Sequence, residues 1–216
     1  MSAPPLSLAR AFLFVPADRP ERHARALACG AGGVIVDLED AVAPERKVQA
    51  REQLAASFAA LPTEDRRRLL VRINAAGTPW HDDDCAQIGA LAAQGLIAGI
   101  VLPKAERAAD LSRLAEAAGP SAALVPLIES AAGLAAVDEL AAGPQVLRLA
   151  FGNLDFQADL GLACDADEAE LVPVRLALLL ASRRAGLAAP IDGVTPDWRD
   201  TARLAANTAR ARRGGF

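Results

Sequence analysis

The sequence predicts an α/β protein built on a parallel sheet, either a barrel or a doubly wound sheet, and three observations carry that expectation. Short apolar runs alternate with longer stretches of helical period, the pattern of repeated βα units. Charged and amide side chains gather immediately after the apolar runs, which are preceded mostly by small residues. The chain has 216 residues, and because one barrel or doubly wound sheet uses about 200 to 250 residues, residues 1–216 read as a single domain.

Seven apolar runs mark the strands. Residues 11–15 lead into Pro16-Ala17-Asp18-Arg19, and residues 33–38 lead into Glu39 and Asp40, with Asp37 within the run. Residues 69–73 carry Arg72 and precede Asn74; residues 97–102 precede Pro103-Lys104; residues 123–128 precede Glu129. Residues 146–151 run into Gly152-Asn153-Leu154-Asp155, and a weaker run, 188–191, reaches Asp192. Helical periodicity occupies residues 45–60, 108–118, 168–185 and 197–212. Asp82, Asp83 and Asp84 suit a helix N-terminus, Pro173 a first helical turn and Gly186 a helix exit. The opposite strand ends follow small residues such as Gly32, Gly33, Gly95 and Pro144. One end of the sheet is therefore chemical and the other structural, and in a parallel barrel the C-terminal strand ends build the active site.

Composition excludes several classes. Hydrophobic residues make up 52%, but 51 of the residues are Ala, which favours closely packed helices around a core of Leu, Val and Ile. Aromatics are only 4%, Tyr is absent and the net charge is −4, so neither base stacking nor phosphate attraction supports nucleic-acid binding. The longest apolar stretch, residues 176–181, is far short of the roughly 20 residues of a membrane span, and no export leader is visible, so a soluble, cytoplasmic protein is expected. Cys29, Cys85 and Cys164 are odd in number and lack a CxxC pattern, which predicts free thiols.

Glu129 and Asp155 lie 26 positions apart, about one βα repeat, so they fall at the ends of neighbouring strands roughly 4.8 Å apart. Two such carboxylates invite a hard divalent cation: Mg²⁺ takes one or two carboxylates and leaves the rest of its shell to water and substrate. The competing reading pairs Glu129 with Arg72 and uses Asp155 as a helix cap. Arg72 suits a substrate carboxylate, or a buried salt bridge to Glu39 or Glu129. Asp37, Glu39 and Asp40 fit either structural pairing with Arg72 or Lys104, or hydrogen bonding to metal-bound water. Lys104 raises Schiff-base chemistry, which its Ala-Glu-Arg surroundings disfavour. His23 and His81 read as surface histidines. Gly30, Gly32 and Gly33 precede a strand, so they do not form a phosphate loop.

Seven motifs, in order, then carry a family resemblance: Leu13-Phe14-Val15-Pro16-Ala17-Asp18-Arg19-Pro20, Val36-Asp37-Leu38-Glu39-Asp40-Ala41-Val42, Val71-Arg72-Ile73-Asn74, Leu102-Pro103-Lys104, Leu127-Ile128-Glu129-Ser130, Gly152-Asn153-Leu154-Asp155-Phe156 and Ile191-Asp192-Gly193-Val194. The chain resembles the citrate lyase β-subunit-like proteins, which include malyl-CoA and citramalyl-CoA lyases. The resemblance implies a TIM-type (βα)₈ barrel, commonly a homotrimer, with Mg²⁺ on Glu129 and Asp155. It implies Arg72 and the backbone amides of Gly152, Asn153 and Leu154 as the grip on an oxo or hydroxy acid. Glu39 and Asp40 would bond to metal-bound water, and the loop holding Arg19 would receive part of coenzyme A. The implied reaction cleaves or condenses a short 3-hydroxyacyl-CoA. The related metal-dependent pyruvate aldolases carry His where this chain has Asp40. Similar proteins continue beyond the position of Phe216 into an eighth strand and a lid. The expectation is therefore seven visible βα units with those parts missing, and a catalytically weak metal and oxo-acid-binding subunit is the alternative.

Overall fold

The computed structural model describes residues 5–216. Its six strands are β1 (Phe12–Pro16), β2 (Gly33–Asp37), β3 (Leu69–Arg72), β4 (Gly99–Leu102), β5 (Ala123–Ile128) and β6 (Ala150–Phe151). They pair in sequence order and all in parallel, in a curled half-barrel sheet. The helices are α1 (His23–Ala28), α2 (Lys47–Ala59), α3 (Thr63–Arg66), α4 (His81–Ala93), α5 (Ala108–Ala118), α6 (Ala131–Ala135), α7 (Val137–Ala141), α8 (Asn153–Leu160), α9 (Val172–Arg184) and α10 (Thr201–Arg213). No described helix is long and apolar enough to cross a membrane.

The strands are apolar on both faces because both are covered, as a parallel sheet requires. Val34, Val36, Leu69, Val71, Ile100, Leu102, Leu124 and Ile128 pack towards the helices. Ile35, Leu70, Val101, Val125, Leu127 and Ala150 form a second cluster on the inner face, joined by Leu6 from the N-terminal segment. Period-two alternation then places the polar groups: two residues beyond Ile35 stands Asp37, two beyond Leu70 stands Arg72, and two beyond Leu127 stands Glu129. The site is the inner apolar face continued past its hydrophobic layer.

Two strand expectations change. Residues 146–151 give a regular strand only at β6, with Val146 making a single bridge to Leu124. Between them Arg148 turns inward, donates to the carbonyls of Leu6, Ala9 and Pro190, and stacks over Phe12. The seventh run contributes one bridging residue, Ile191, beside Ala150. Among the described residues no strand follows it.

The histidines are not surface residues. His23 is buried with Nδ1 2.8 Å from Ser57 Oγ, and His81 is buried with Nδ1 2.9 Å from the Asn74 carbonyl. Each is buried on the inner side of its helix. His81 Nε2 also lies 3.5 Å from Cys85 Sγ, an i, i+4 pair on α4. Burial pushes the Cys85 thiol up to about 11, so this contact does not activate it. All three cysteines are free thiols.

Candidate active site

Arg72 is the hub of the mouth. Its Nε and Nη2 donate to Asp37 Oδ1 and Oδ2 at 2.7 and 2.6 Å, a bidentate pair that occupies one fork of the guanidinium. Burial opposes its charge, but the Asp37 bonds and the nearby carboxylates of Glu39 and Asp40 hold it protonated. Phe14 lies beneath it, 5.0 Å from ring centroid to guanidinium carbon. The second fork, on Nη1 and the remaining Nη2 hydrogen, faces Glu39 and Asp40, whose oxygens lie 2.9 and 3.5 Å from Nη1. The Glu39 Oε2 contact lacks hydrogen-bond alignment, which leaves that buried oxygen without a bonded partner. Burial lifts the Glu39 carboxyl to about 8 despite Arg72, with Asp40, Glu129 and Asp37 adding to the rise.

The loop after β2 is held from behind. Lys47 is buried and donates to the carbonyls of Leu38 and Glu39 at 2.7 and 2.6 Å, with Trp80 over its ammonium. Asp37 also accepts from the backbone of Glu39 and Ala41, so one carboxylate orients both Arg72 and the turn. Asp84 accepts from Asn74 and Arg51 and fixes the turn after β3.

Glu129 is 3% exposed. Its Oε1 accepts from the Lys104 amide at 2.7 Å, while Oε2 has no donor among the described residues. The Lys104 backbone is left-handed, with φ 45°, a strained state for a residue with a side chain. Gly152 is a glycine for a steric reason: a Cβ there would lie 2.5 Å from both the Cβ and Oε2 of Glu129. Burial raises the Glu129 carboxyl to about 7; the Lys104 amide opposes the rise and the Asp155 charge adds to it. Asp155 stands in the first turn of α8, half-buried, with no hydrogen bond or ion pair among the described residues. Neither competing partnership is made: Arg72 pairs with Asp37 and Glu39 instead of Glu129, and α8 has no side-chain cap.

A cleft of about 420 Å³ brings Asp40, Glu106, Glu129, Asp155 and Asp159 around a single ammonium, that of Lys104; Arg72 and Glu39 do not line it, and Arg72 meets its wall at Asp40, 3.5 Å away. Its donors are hard oxygens in excess of local positive charge, which fits a cation such as Mg²⁺. No cluster of three or more metal-binding side chains occurs among the described residues, and a two-carboxylate Mg²⁺ site does not need one. A more open groove of about 750 Å³ follows one face of α10, but its only charges are Arg212 and Arg213, so the smaller cleft is the candidate site.

One sequence expectation is altered by this geometry. The Gly152 amide is spent on the Ile128 carbonyl at 2.9 Å, a sheet bond, so it is not free to grip a ligand. The amides of Asn153 and Leu154 lie in the first turn of α8, where N–H groups have no intrahelical acceptor. The Asn153 side chain is buried and committed to Glu168 and Val194. Arg19, in the loop expected to receive part of coenzyme A, lies outside this cleft, and its exposed side chain pairs with Glu21 at 2.7 Å. Glu106 and Asp159 were missed by sequence reasoning, although both follow within one helical turn or so of a strand-end motif.

Residues 10–216 match the HpcH/HpaI aldolase/citrate lyase family. A (3S)-malyl-CoA thioesterase from Cereibacter sphaeroides is 32% identical over 207 residues, covering 96% of this chain and 70% of that protein. The citrate lyase β subunit of Mycobacterium tuberculosis complexed with oxaloacetate and magnesium superposes with a TM-score of 0.82 at 36% identity, over 98% of this chain and 90% of that one. CitE from the same organism, in complex with magnesium, acetoacetate and coenzyme A, also gives 0.82 at 36% identity, over 98% of this chain and 75% of that one. With nearly its whole length matched and its strand-end motifs in place, the chain belongs to the HpcH/HpaI aldolase/citrate lyase family.

Proposed function

We propose that the protein is a Mg²⁺-dependent carbon–carbon lyase that cleaves, or in reverse condenses, a short 3-hydroxyacyl-CoA such as a malyl-, citramalyl- or citryl-thioester. The observation that carries this reading is the buried Glu129, with one oxygen unclaimed, beside the unpartnered Asp155 in an acidic cleft whose Asp40 lies 3.5 Å from Arg72. These two carboxylates would hold the ion, which when bound supplies a Lewis acid for the hydroxyl or oxo oxygen. Arg72, anchored on one fork by Asp37, offers its other fork to the carboxylate of the acid portion. The Asn153 and Leu154 amides at the positive end of α8 add donors for the same group. Glu39 and Asp40 serve that grip by bonding to bound water beside Arg72. In the reaction the hydroxyl proton leaves, a carbonyl forms, and the bond to the thioester α-carbon breaks. The electron pair stays on the thioester enolate, which takes a proton to become the acyl-CoA.

The test is product analysis of a small acyl-CoA panel with Mg²⁺. Cleavage yields an oxo acid and an acyl-CoA without free thiol, and Glu129→Ala or Asp155→Ala abolishes it; full activity in both variants removes the reading. A second reading, hydrolysis of the thioester, is favoured by the 32% identical malyl-CoA thioesterase and would release free CoA thiol with no oxo acid. Binding of oxaloacetate without turnover of any thioester would instead identify a metal and oxo-acid-binding subunit, and turnover of a free hydroxy-oxo acid a pyruvate-type aldolase. A homotrimer in the cytoplasm completes the proposal, with sedimentation as the check on the assembly.

A further inference from the structure

Behind the first turn of α8 lies an ionic cluster to which none of these roles assigns a function. Glu168 is 5% exposed, and its backbone is left-handed with φ 50°, an uncommon state for a residue with a side chain. Its Oε1 accepts from Asn153 Nδ2 at 2.9 Å, and its Oε2 accepts from Arg175 and, at 2.9 Å, from Arg210 of α10. Arg175 of α9 also donates to Asp192 Oδ1 at 2.8 Å and lies over the Phe151 ring. Asn153 in turn accepts from the Val194 amide at 2.9 Å and donates to the Val194 carbonyl at 3.2 Å. Gly193 has no room for a Cβ because the Asn153 side chain fills that space. Two branches of the cluster thus end on the turn after Ile191 and on Asn153, two residues before Asp155, while a third ties Glu168 to Arg210 of α10, which also donates to the Asp167 carbonyl at 2.6 Å.

Stability alone does not account for such a cluster. Buried ion pairs are often replaceable by apolar residues at no loss of stability, because desolvation offsets the attraction, and what they supply is a defined geometry. We propose that Glu168 and Arg175 are positioning residues: they lock Asn153 against the turn after Ile191 and so hold Asp155 and the open amides of α8 at the angle the cation and oxo acid require. This inference rests on the reading of Glu129 and Asp155 as the cation's ligands. It identifies a support that reaches the site from α9 and α10, distinct from the Lys47 and Asp84 supports behind the turns after β2 and β3.

The experiment is calorimetric titration of Mg²⁺, and of oxaloacetate in the presence of Mg²⁺, on the full chain, with urea midpoints to verify folding. Glu168→Ala is expected to weaken Mg²⁺ binding roughly tenfold or more, as loss of a support behind a metal ligand commonly does. Glu168→Gln, which keeps an oxygen for Asn153 but not the charge on the arginines, is expected to lose less and supplies the test if the alanine variant does not fold. In an Asp155→Asn background the Glu168 substitutions should add little, because both act through the same carboxylate. Arg184→Ala, which removes an exposed pair with Asp138 from the same α9, should leave both affinities unchanged. Wild-type Mg²⁺ affinity in a folded Glu168 variant, or losses that simply add to that of Asp155→Asn, overturns the positioning role. Wild-type affinity in Asp155→Asn overturns the metal site itself, and the positioning role with it.

Discussion

Gly152 is the position where one atom decides the site. A methyl group there meets Glu129 at 2.5 Å, so Gly152→Ala should cost about 1–3 kcal/mol of stability through overpacking. It should also weaken Mg²⁺ binding, because Glu129 has to move; thermal unfolding and a Mg²⁺ titration on the same variant check both halves. Arg72→Lys separates the two ligands. Lysine keeps the charge but cannot hold Asp37 bidentately and offer a second fork, so oxo-acid affinity should fall roughly 10- to 100-fold, as lost charged hydrogen bonds do. Mg²⁺ affinity measured without the acid should stay near that of the wild type. The acidic strand ends were legible in the sequence, since Asp37, Arg72 and Glu129 continue the inner-face alternation of Ile35, Leu70 and Leu127. Which partner each would choose was not legible: Arg72 took Asp37, a choice fixed by the parallel register that sets the two directly opposite.

At the scale of elements, α5 spans residues 108–118, the bounds its periodicity marks, and α9 carries Pro173 in its first turn. These held because the local signals agree with the packing. The sixth strand is shorter than its apolar run, and Arg148 inside that run spends its side-chain donors on the N-terminal segment, in contacts that span 142 and 139 positions of the chain. The short α6 shows how a site motif doubles as a cap. Ser130, next to Glu129, accepts from the Gly133 amide at 3.1 Å and donates to Glu106 at 2.6 Å. Ser130→Ala should therefore lower stability by about 1 kcal/mol, measured as a urea midpoint, while Ser130→Thr should retain most of it.

For the molecule as a whole, pH separates burial from binding. Burial of His23 penalises its imidazolium, and its pKa in the fold lies below the ordinary 6.5. The unfolded chain then binds more protons than the folded one in the window beneath 6.5, so this contribution is complete above that value and is lost as pH falls towards the folded one. The raised carboxyls of Glu39 and Glu129 work in the opposite direction, since the folded state takes up their protons first as pH falls from about 8. His23→Gln isolates the first effect. The stability advantage of the wild type over this variant should shrink between about pH 7.5 and about pH 5.5, and an advantage that is constant across that window would refute the assignment.

The βα alternation, the end of the sheet that carries the polar groups and the family were legible in the sequence, while the strand order was settled by the fold. The legible features depend on local periodicity and on motifs only a few residues long. The tertiary structure decided which polar groups are spent and which are free: the Gly152 amide is taken by Ile128, the Asn153 side chain by Glu168 and Val194, while one oxygen of Glu129 is left open. It also buried both histidines and assembled the cluster around Glu168. The physical reason is that a buried polar group must find a partner, and that partner comes from whichever element the fold brings near, regardless of its distance along the chain.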